Sequence, residues 1–273
     1  MSRCDIVEHK LLTLNGNTIH YYVSGNSGSP AVLFLHPAFG DHTCFYKQID
    51  FFSKEFRVVT IDLIGHGLSK VCNSKQKIDS SIEHIRAIMA AENIESLHLV
   101  GVSMGALIAQ HFVLYNPAKT LSLTCLGGYD INRVNKEVAK AQRKEMLGWL
   151  LRLIFSMRAF KRYAASVSAI NKEEQERLYE SMQGFTRKSF SAMSTLGRLI
   201  KERPTPARDY PLSILVGDTD NDLAKRMARL WHGDEPKSLF YQIDSAGHCA
   251  NMDNADAFNQ IVYGAIVTKS PSL

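Results

Sequence analysis

A serine between two glycines stands where one apolar run ends and another begins. Ser103 is the centre of residues 101–105 (Gly-Val-Ser-Met-Gly), with the run Leu97–Val100 before it and Ala106–Tyr115 after it. This is the strand–turn–helix context of a nucleophile elbow, a tight turn in which side chains at the two glycines would collide with neighbouring backbone. The pattern predicts that Ser103 is a nucleophile. Serine is also a favoured helix N-cap residue, so capping of the following helix is the alternative.

A serine nucleophile needs a general base, and His248 is the candidate. It follows the predicted strand Leu239–Ile243, on a loop from which an imidazole could reach Ser103. The alternative is a histidine of an ordinary surface loop.

The base needs a carboxylate to orient it, and an acidic loop follows the predicted strand Leu212–Val216. Spacing favours Asp220 over Asp222 in that loop, and Asp218 is interpreted as a turn residue. The resulting chain order is Ser, Asp, His, which is the order of the hydrolase template.

Two backbone N–H groups are expected to stabilise the anionic oxygen formed during acyl transfer. Met104 supplies one, because it begins the helix after Ser103. Ala38 is the candidate for the other, in residues 36–40 (His-Pro-Ala-Phe-Gly) directly after the predicted strand Ala31–Leu35. In the same loop, His36 and Phe39 are expected to contact substrate.

Apolar runs and helical patterns alternate along the chain and must position these residues. An Asn-Gly pair at 15–16 predicts a hairpin between Lys10–Leu14 and Thr18–Val23. The later order predicts an α/β fold with a doubly wound, mostly parallel eight-stranded sheet. The further predicted strands are Ala31–Leu35, Val58–Ile61, Ser96–Val100, Ser122–Leu126, Leu212–Val216 and Leu239–Ile243, and the predicted helices are Thr43–Phe52, Ser81–Ala91, Met104–Tyr115, Asp222–Leu230 and Ala255–Ile266.

The interval 131–208 interrupts the alternation, because it is helix-rich, studded with Lys and Arg, and has no convincing strand. We expect a helical lid there, inserted into a core formed by residues 1–130 and 209–273. Trp149, Phe155 and Phe185 are expected to line an apolar substrate pocket, whereas most apolar residues of such a segment pack helix against helix.

Composition narrows the class of protein. No apolar stretch approaches the ~20 residues that span a bilayer, and the charged opening residues favour neither a signal peptide nor an anchor. Five scattered cysteines show no metal-like spacing, which predicts a reduced, cytoplasmic location. The formal charge of +5 comes from Lys and Arg interspersed with acids, so nucleic acid is not an expected partner. We expect a monomer or weak homodimer.

These motifs together resemble the α/β-hydrolase fold superfamily, in its group with a helical cap between the sixth and seventh strands. The matching segments, in family order, are residues 36–40, 62–69 (Asp-Leu-Ile-Gly-His-Gly-Leu-Ser), 101–105, 217–220 and 247–248. The resemblance implies that the 62–69 loop, including His66, is architectural. Two departures are Pro37, where glycine is usual, and the lack of a proline after Asp220.

The resemblance implies a serine hydrolase of the carboxylesterase type, acting on a small ester or related acyl substrate with an apolar portion and needing no metal or organic cofactor. Carbon–carbon bond hydrolases, lactonases, aminopeptidases and perhydrolases share the same three residues, so they are alternatives. A ligand-sensing protein with little turnover is an alternative of a different class.

Overall fold

One twisted sheet organises the chain. The computed structural model describes residues 7–73, 75–138, 140–141, 152, 156–204 and 207–267. Within those residues, eight strands pair in the order β1-β2-β4-β3-β5-β6-β7-β8. Strand β2 is antiparallel to β1 and β4, and the pairs from β4 to β8 are parallel, which confirms the expected mostly parallel sheet. The strands are β1 (Glu8–Leu14), β2 (Asn17–Ser24), β3 (Ala31–Leu35), β4 (Arg57–Ile61), β5 (Leu97–Val102), β6 (Thr120–Leu126), β7 (Leu212–Gly217) and β8 (Leu239–Ile243).

Helices cover both faces of the sheet. Side chains of β3 alternate between two buried clusters: Leu33 and Leu35 pack with the helices α2 (Ser81–Ala91) and α3 (Met104–Tyr115), whereas Val32 and Phe34 pack with α1 (Tyr46–Phe52) and α9 (Ala255–Val267). Each fully buried side chain of this size stabilises the fold by roughly 2 kcal/mol. Burial on both faces explains why β3 is a continuous apolar run. In the described part of the chain the α-helices are α1 (Tyr46–Phe52), α2 (Ser81–Ala91), α3 (Met104–Tyr115), α4 (Met157–Ser168), α5 (Lys172–Ser181), α6 (Ser189–Met193), α7 (Asp222–Asp234), α8 (Ala250–Asp253) and α9 (Ala255–Val267).

The first hairpin forms as predicted. Asn15 and Gly16 have φ of 51° and 79°, the left-handed conformation that a two-residue type I′ turn requires. The predicted helix Thr43–Phe52 differs, because His42–Phe45 is a 3₁₀ turn and α1 begins only at Tyr46. The side chain of Asp41 accepts a hydrogen bond from Thr43 N and caps that tighter turn.

Three described helices, α4, α5 and α6, lie between β6 and β7. Side-chain caps begin the first two: Ser156 accepts from Ala159 N, and Asn171 accepts from Glu173 N. The interval predicted as a lid therefore contains helices where it is described.

No helix among the described residues has the length and apolar character needed to cross a membrane. Four described cysteines, Cys44, Cys72, Cys125 and Cys249, are not disulfide-bonded. The cytoplasmic location, the monomeric or weakly dimeric state and the lack of a nucleic-acid partner stay predictions.

Candidate active site

Ser103 lies at a strained turn between β5 and α3. Its φ of 54° and ψ of −114° fall outside the regions that serine ordinarily adopts, and such a conformation costs about 1–3 kcal/mol. The Ser103 N–H donates to Leu126 O at the end of β6, with an N···O distance of 2.8 Å. Its side chain makes no capping hydrogen bond to the described first turn of α3. Helix capping therefore does not account for this serine.

The two glycines of the turn are needed for close approach of backbone. A Cβ at Gly101 would lie inside van der Waals contact of Gly105 O, and a Cβ at Gly105 would overlap Leu35 O. The turn can pass between β3 and α3 only without these side chains, as the sequence predicted.

The acidic loop after β7 separates its three aspartates by environment. The Asp220 side chain is buried, and its Oδ1 accepts hydrogen bonds from the backbone N and side-chain Nδ2 of Asn221, at 2.7 and 3.0 Å. The Asp222 side chain is fully exposed and pairs with Lys225. Asp218 accepts from Ala246 N, and backbone hydrogen bonds from Ala246 and Ser245 hold its carboxyl pKa below the ordinary value.

The structure places the imidazole of His248 against Asp220. The distance from His248 Nδ1 to Asp220 Oδ2 is 2.8 Å, and the two side chains are 23% and 2% exposed. An ionised carboxylate only accepts hydrogen bonds, so Nδ1 carries the proton and a neutral ring has its lone pair on Nε2. This tautomer is the one that a general base acting through Nε2 requires.

Gly127 connects the imidazole to the serine turn. A Cβ built on Gly127 would lie 2.8 Å from His248 Cε1 and 3.0 Å from Nδ1, so the ring rests directly on this glycine. Gly127 follows Leu126, whose carbonyl accepts from Ser103 N. Serine and imidazole therefore both lie at the carboxyl end of β6, although 145 positions separate them in sequence.

The loops after β7 and β8 are bonded to each other. Thr219 donates to Ala246 O through both its backbone N and its Oγ1, at 3.0 and 2.8 Å. A Cβ on Gly217 would overlap Ala246 O, so glycine is needed where the loops cross. Asp220 and His248 are thereby carried on loops that are hydrogen-bonded to each other.

The two predicted oxyanion donors belong to the loop after β3 and to the start of α3. Within the described residues, neither Ala38 N–H nor Met104 N–H donates to a protein acceptor. Met104 begins α3, where the helix dipole favours negative charge. Pro37, which precedes Ala38, has no N–H to offer.

His36 joins two loops in the structure. It is fully buried, its Nδ1–H donates to Pro37 O at 2.8 Å, and its Nε2 accepts from Leu63 N at 3.0 Å. Burial lowers the pKa of His36 to about 4, so the ring is neutral. Both ring nitrogens therefore have protein partners, and the substrate contact of His36 stays a prediction.

Phe39 is the centre of an aromatic cluster that joins the 36–40 loop to the helices between β6 and β7. Its ring lies 5.0 Å from those of Phe160 and Phe185, and 6.1 Å from that of Phe190. Phe39 itself has a φ of 75°, a conformation rare for a bulky residue. Phe160 and Phe190 were not among the predicted site residues, because helical periodicity does not show which loop a side chain will meet.

Trp149 and Phe155, the other two predicted pocket residues, lie outside the described residues.

Asp62 organises the 62–69 loop. It is fully buried, its Oδ1 accepts from His42 N and Nδ1, and its Oδ2 accepts from Leu68 N. A Cβ on Gly67, whose φ is 47°, would overlap this carboxylate. These contacts agree with the architectural role that the resemblance implied.

Asp41, His42 and Asp62 are a described cluster whose ligand atoms lie within 4.8 Å of one another and could hold a metal ion. Those atoms are already engaged: Asp41 Oδ1 accepts from Thr43, and His42 Nδ1 donates to Asp62.

Comparisons with known proteins bear on the family and the fold of the chain. The sequence profile of the alpha/beta hydrolase family matches residues 32–261. Over 118 residues the chain is 32% identical to 3-oxoadipate enol-lactonase 1 of Acinetobacter baylyi; the match covers 42% of this chain and 44% of that protein, so the chain spans about half the length of this relative. Over 265 residues it is 25% identical to a 2-hydroxy-6-oxononadienedioate/2-hydroxy-6-oxononatrienedioate hydrolase of Pseudomonas sp, with 91% of each chain covered.

Among solved structures, a carboxylesterase of Nitrososphaera gargenis has a TM-score of 0.79 at 18% identity, covering 95% of this chain and 99% of that one. At this identity the likeness shows the fold alone.

Proposed function

Because the chain belongs to the alpha/beta hydrolase family, we propose that it is a serine hydrolase that cleaves a carboxylic ester through an acyl-enzyme. Ser103 is the nucleophile, His248 the general base and Asp220 the carboxylate that orients the base. The observation that carries the proposal is the 2.8 Å hydrogen bond from His248 Nδ1 to Asp220, on a ring that rests beside the serine turn.

The proposed reaction has two halves. In the first, Ser103 Oγ attacks the ester carbonyl while His248 Nε2 takes its proton, and the alcohol then leaves with that proton. In the second, water attacks the acyl carbon while His248 Nε2 takes a proton from it, and this proton passes to Ser103 Oγ as the bond to the acyl group breaks and the acid is released. Asp220 stabilises the imidazolium formed in each half. All proton transfers are assigned to side chains of the chain, so the proposal includes no metal or organic cofactor.

Ala38 N–H and Met104 N–H are the proposed donors to the oxyanion. They come from different elements, one from the loop after β3 and one from the start of α3. Loss of a single oxyanion donor typically costs 10²–10³-fold in kcat, about 3 to 4 kcal/mol.

We propose that the helical interval 131–208 is a lid over the apolar side of the site. Phe185 supports this assignment, because its ring lies 5.0 Å from Phe39, next to the proposed donor Ala38. An aromatic wall of this kind favours a substrate with an apolar acyl or alcohol portion.

A second candidate is hydrolysis of an enol lactone or of a carbon–carbon bond with the same three residues. The names of the two matched proteins favour it, since one is an enol-lactonase and the other a hydrolase of an oxo-dienedioate. Perhydrolase activity and ligand sensing with little turnover remain further alternatives.

Labelling with a fluorophosphonate probe tests the proposal, because the probe phosphonylates an activated serine. The native chain is expected to be labelled and to turn over p-nitrophenyl acetate, and Ser103→Ala is expected to lose both. Ser213→Ala, in a buried serine of β7, is the matched control and should keep both. Labelling that survives in Ser103→Ala would refute the assignment, and labelling without turnover would indicate a sensor.

A substrate panel then separates the reactions. Short and long acyl esters, an enol lactone and a vinylogous diketone are compared by kcat/KM. A preference for the lactone or the diketone by more than about tenfold would favour the second candidate.

A further inference from the structure

Asp253 bonds the helices between β6 and β7 to the loop that carries His248. Its Oδ2 accepts from Gly247 N at 2.9 Å, and Gly247 is the residue before His248. Both carboxylate oxygens accept from Ile170 N at 3.1 Å, and Oδ1 also accepts from Asn171 N at 3.0 Å. Ile170 and Asn171 form the connection between α4 and α5. One side chain thus joins two segments that are 76 positions apart.

The residue after His248 makes a second bond to the same helices. Cys249 N donates to Ser168 O, the last residue of α4, at 2.7 Å. His248 therefore lies between two backbone bonds, one from Gly247 to Asp253 and one from Cys249 to the last residue of α4. The packing is close: a Cβ on Gly247 would lie 3.3 Å from Asp253 Oδ2, from the Ile170 side chain and from Ser168 O.

The Asp253 carboxylate is the common acceptor of these bonds. Backbone N–H groups only donate, so the three amides of Gly247, Ile170 and Asn171, which converge at one place, need a shared acceptor there. A carboxylate has about four acceptor positions and serves all three. An amide side chain has a single acceptor oxygen, and its NH₂ group would meet an N–H on the other side.

From these contacts we propose that Asp253 is a positioning residue for the base. Its hydrogen bonds fix the peptide before His248 to the connection between α4 and α5. The imidazole is therefore aligned with Asp220 only when those two helices pack against the loop that carries His248. The proposal rests on the function proposed above, because it acts through His248. Asp253 has no described contact with the Ser103 turn and is not assigned a chemical step.

A plain structural role must be distinguished, since a carboxylate at the start of α5 also stabilises that helix through its dipole. The two roles differ in what they affect. Helix stabilisation affects the free energy of unfolding, whereas positioning affects the step in which His248 transfers a proton.

Asp253→Asn tests the proposal, with Asp256→Asn as its control. Asp256 is exposed, lies three positions further on in the first turn of α9, and changes the charge equally. We expect Asp253→Asn to lower kcat for p-nitrophenyl acetate about tenfold with little change in KM, and Asp256→Asn to change neither.

A double-mutant cycle with His248→Ala makes the test specific. The residual rate of His248→Ala comes from the oxyanion donors and binding, so Asp253→Asn should change it by less than about twofold. A tenfold loss in that background as well would show that Asp253 acts on the whole fold, and the proposal would be overturned. Equal kcat for Asp253→Asn and Asp256→Asn would also overturn it.

Gly247→Ala keeps the proposal testable if Asp253→Asn does not fold. The added methyl group pushes on the same contact by a few tenths of an ångström. It is expected to lower kcat about threefold, and this loss should also disappear in the His248→Ala background. A loss that persists there refutes the proposal. These outcomes differ from failure of the proposed function, which would show as no labelling of native Ser103 by the fluorophosphonate.

Discussion

Gly127→Ala is the sharpest perturbation of the proposed base that leaves every proposed catalytic side chain in place. The new methyl group would start 2.8 Å from His248 Cε1 and 3.0 Å from Nδ1. Carbon atoms in contact lie about 3.5–4.0 Å apart, so the ring must move by roughly 0.7 Å or more. That movement works against the hydrogen bond to Asp220.

Two effects are expected, of different kinds. A 1 Å misplacement of a reacting group lowers the rate about 10²-fold, so a shift of this size predicts a loss of about 30- to 100-fold in kcat/KM, or roughly 2 to 3 kcal/mol. Gly127 also has a φ of 63°, where alanine is less stable than glycine by about 1–2 kcal/mol. The second effect is a loss of folding stability.

Gly16→Ala is the control that separates these effects. Gly16 has a φ of 79°, but a Cβ there would make only ordinary contacts, 3.7 Å or more from Asn73. Both variants should therefore lose similar folding stability by chemical denaturation, and only Gly127→Ala should lose activity. Steady-state hydrolysis of p-nitrophenyl acetate measures the difference.

A kcat/KM of Gly127→Ala within about threefold of the kcat/KM of Gly16→Ala would refute this prediction. In that case either the imidazole does not rest on Gly127 in solution or it does not serve as the base.

Asp220→Asn is expected to lower kcat about 10⁴-fold, because an amide facing the ring stabilises the wrong tautomer, whereas Asp222→Asn, on a fully exposed side chain, should stay within about twofold. Initial rates of ester hydrolysis decide this, and equal losses in both variants would show that the acid was wrongly assigned. Acid is expected to destabilise the fold below pH ~6.5, because burial lowers the pKa of His84 and of His98 to about 4, so the unfolded chain takes up these protons first. The stability from keeping these rings neutral is complete above pH ~6.5 and is lost as the pH falls toward 4, at about 1 kcal/mol per pH unit for each ring. Urea unfolding between pH 7 and 5 measures the slope of the unfolding free energy against pH. His84→Leu should lower that slope by the contribution of one proton taken up on unfolding, and an unchanged slope would contradict the assignment.

The sequence was most informative where local pattern and burial agree. The predicted bounds of β3, β8, α2 and α3 match the structure. β3 is buried along its whole length, so it is a continuous apolar run whose ends are visible in the sequence, whereas β8 is a partly exposed edge strand. The candidate site residues could be named because parallel strands bring their carboxyl ends to one edge of the sheet.

Contacts between distant segments were not predictable. Gly127 reads as an ordinary turn glycine, and only the folded chain shows that its missing side chain makes room for an imidazole 121 positions away. The role of Asp253 was not predictable for a similar reason. Its partners are backbone amides, which nearly every residue has, so the sequence does not distinguish them. The hydrogen bonds of the two His36 ring nitrogens to Pro37 O and Leu63 N were not predicted either, because their partners are backbone groups.

The bonds between the loops after β7 and β8 have a consequence for how this chemistry can change. The loops that carry the imidazole and the carboxylate are joined to each other by the bonds from Thr219 to Ala246 O. The proposed nucleophile and the proposed proton-transfer groups therefore belong to separate segments of the chain. A thiol or a carboxyl group at position 103 would meet an intact proton-transfer apparatus, so this scaffold can exchange its attacking group without rebuilding the rest.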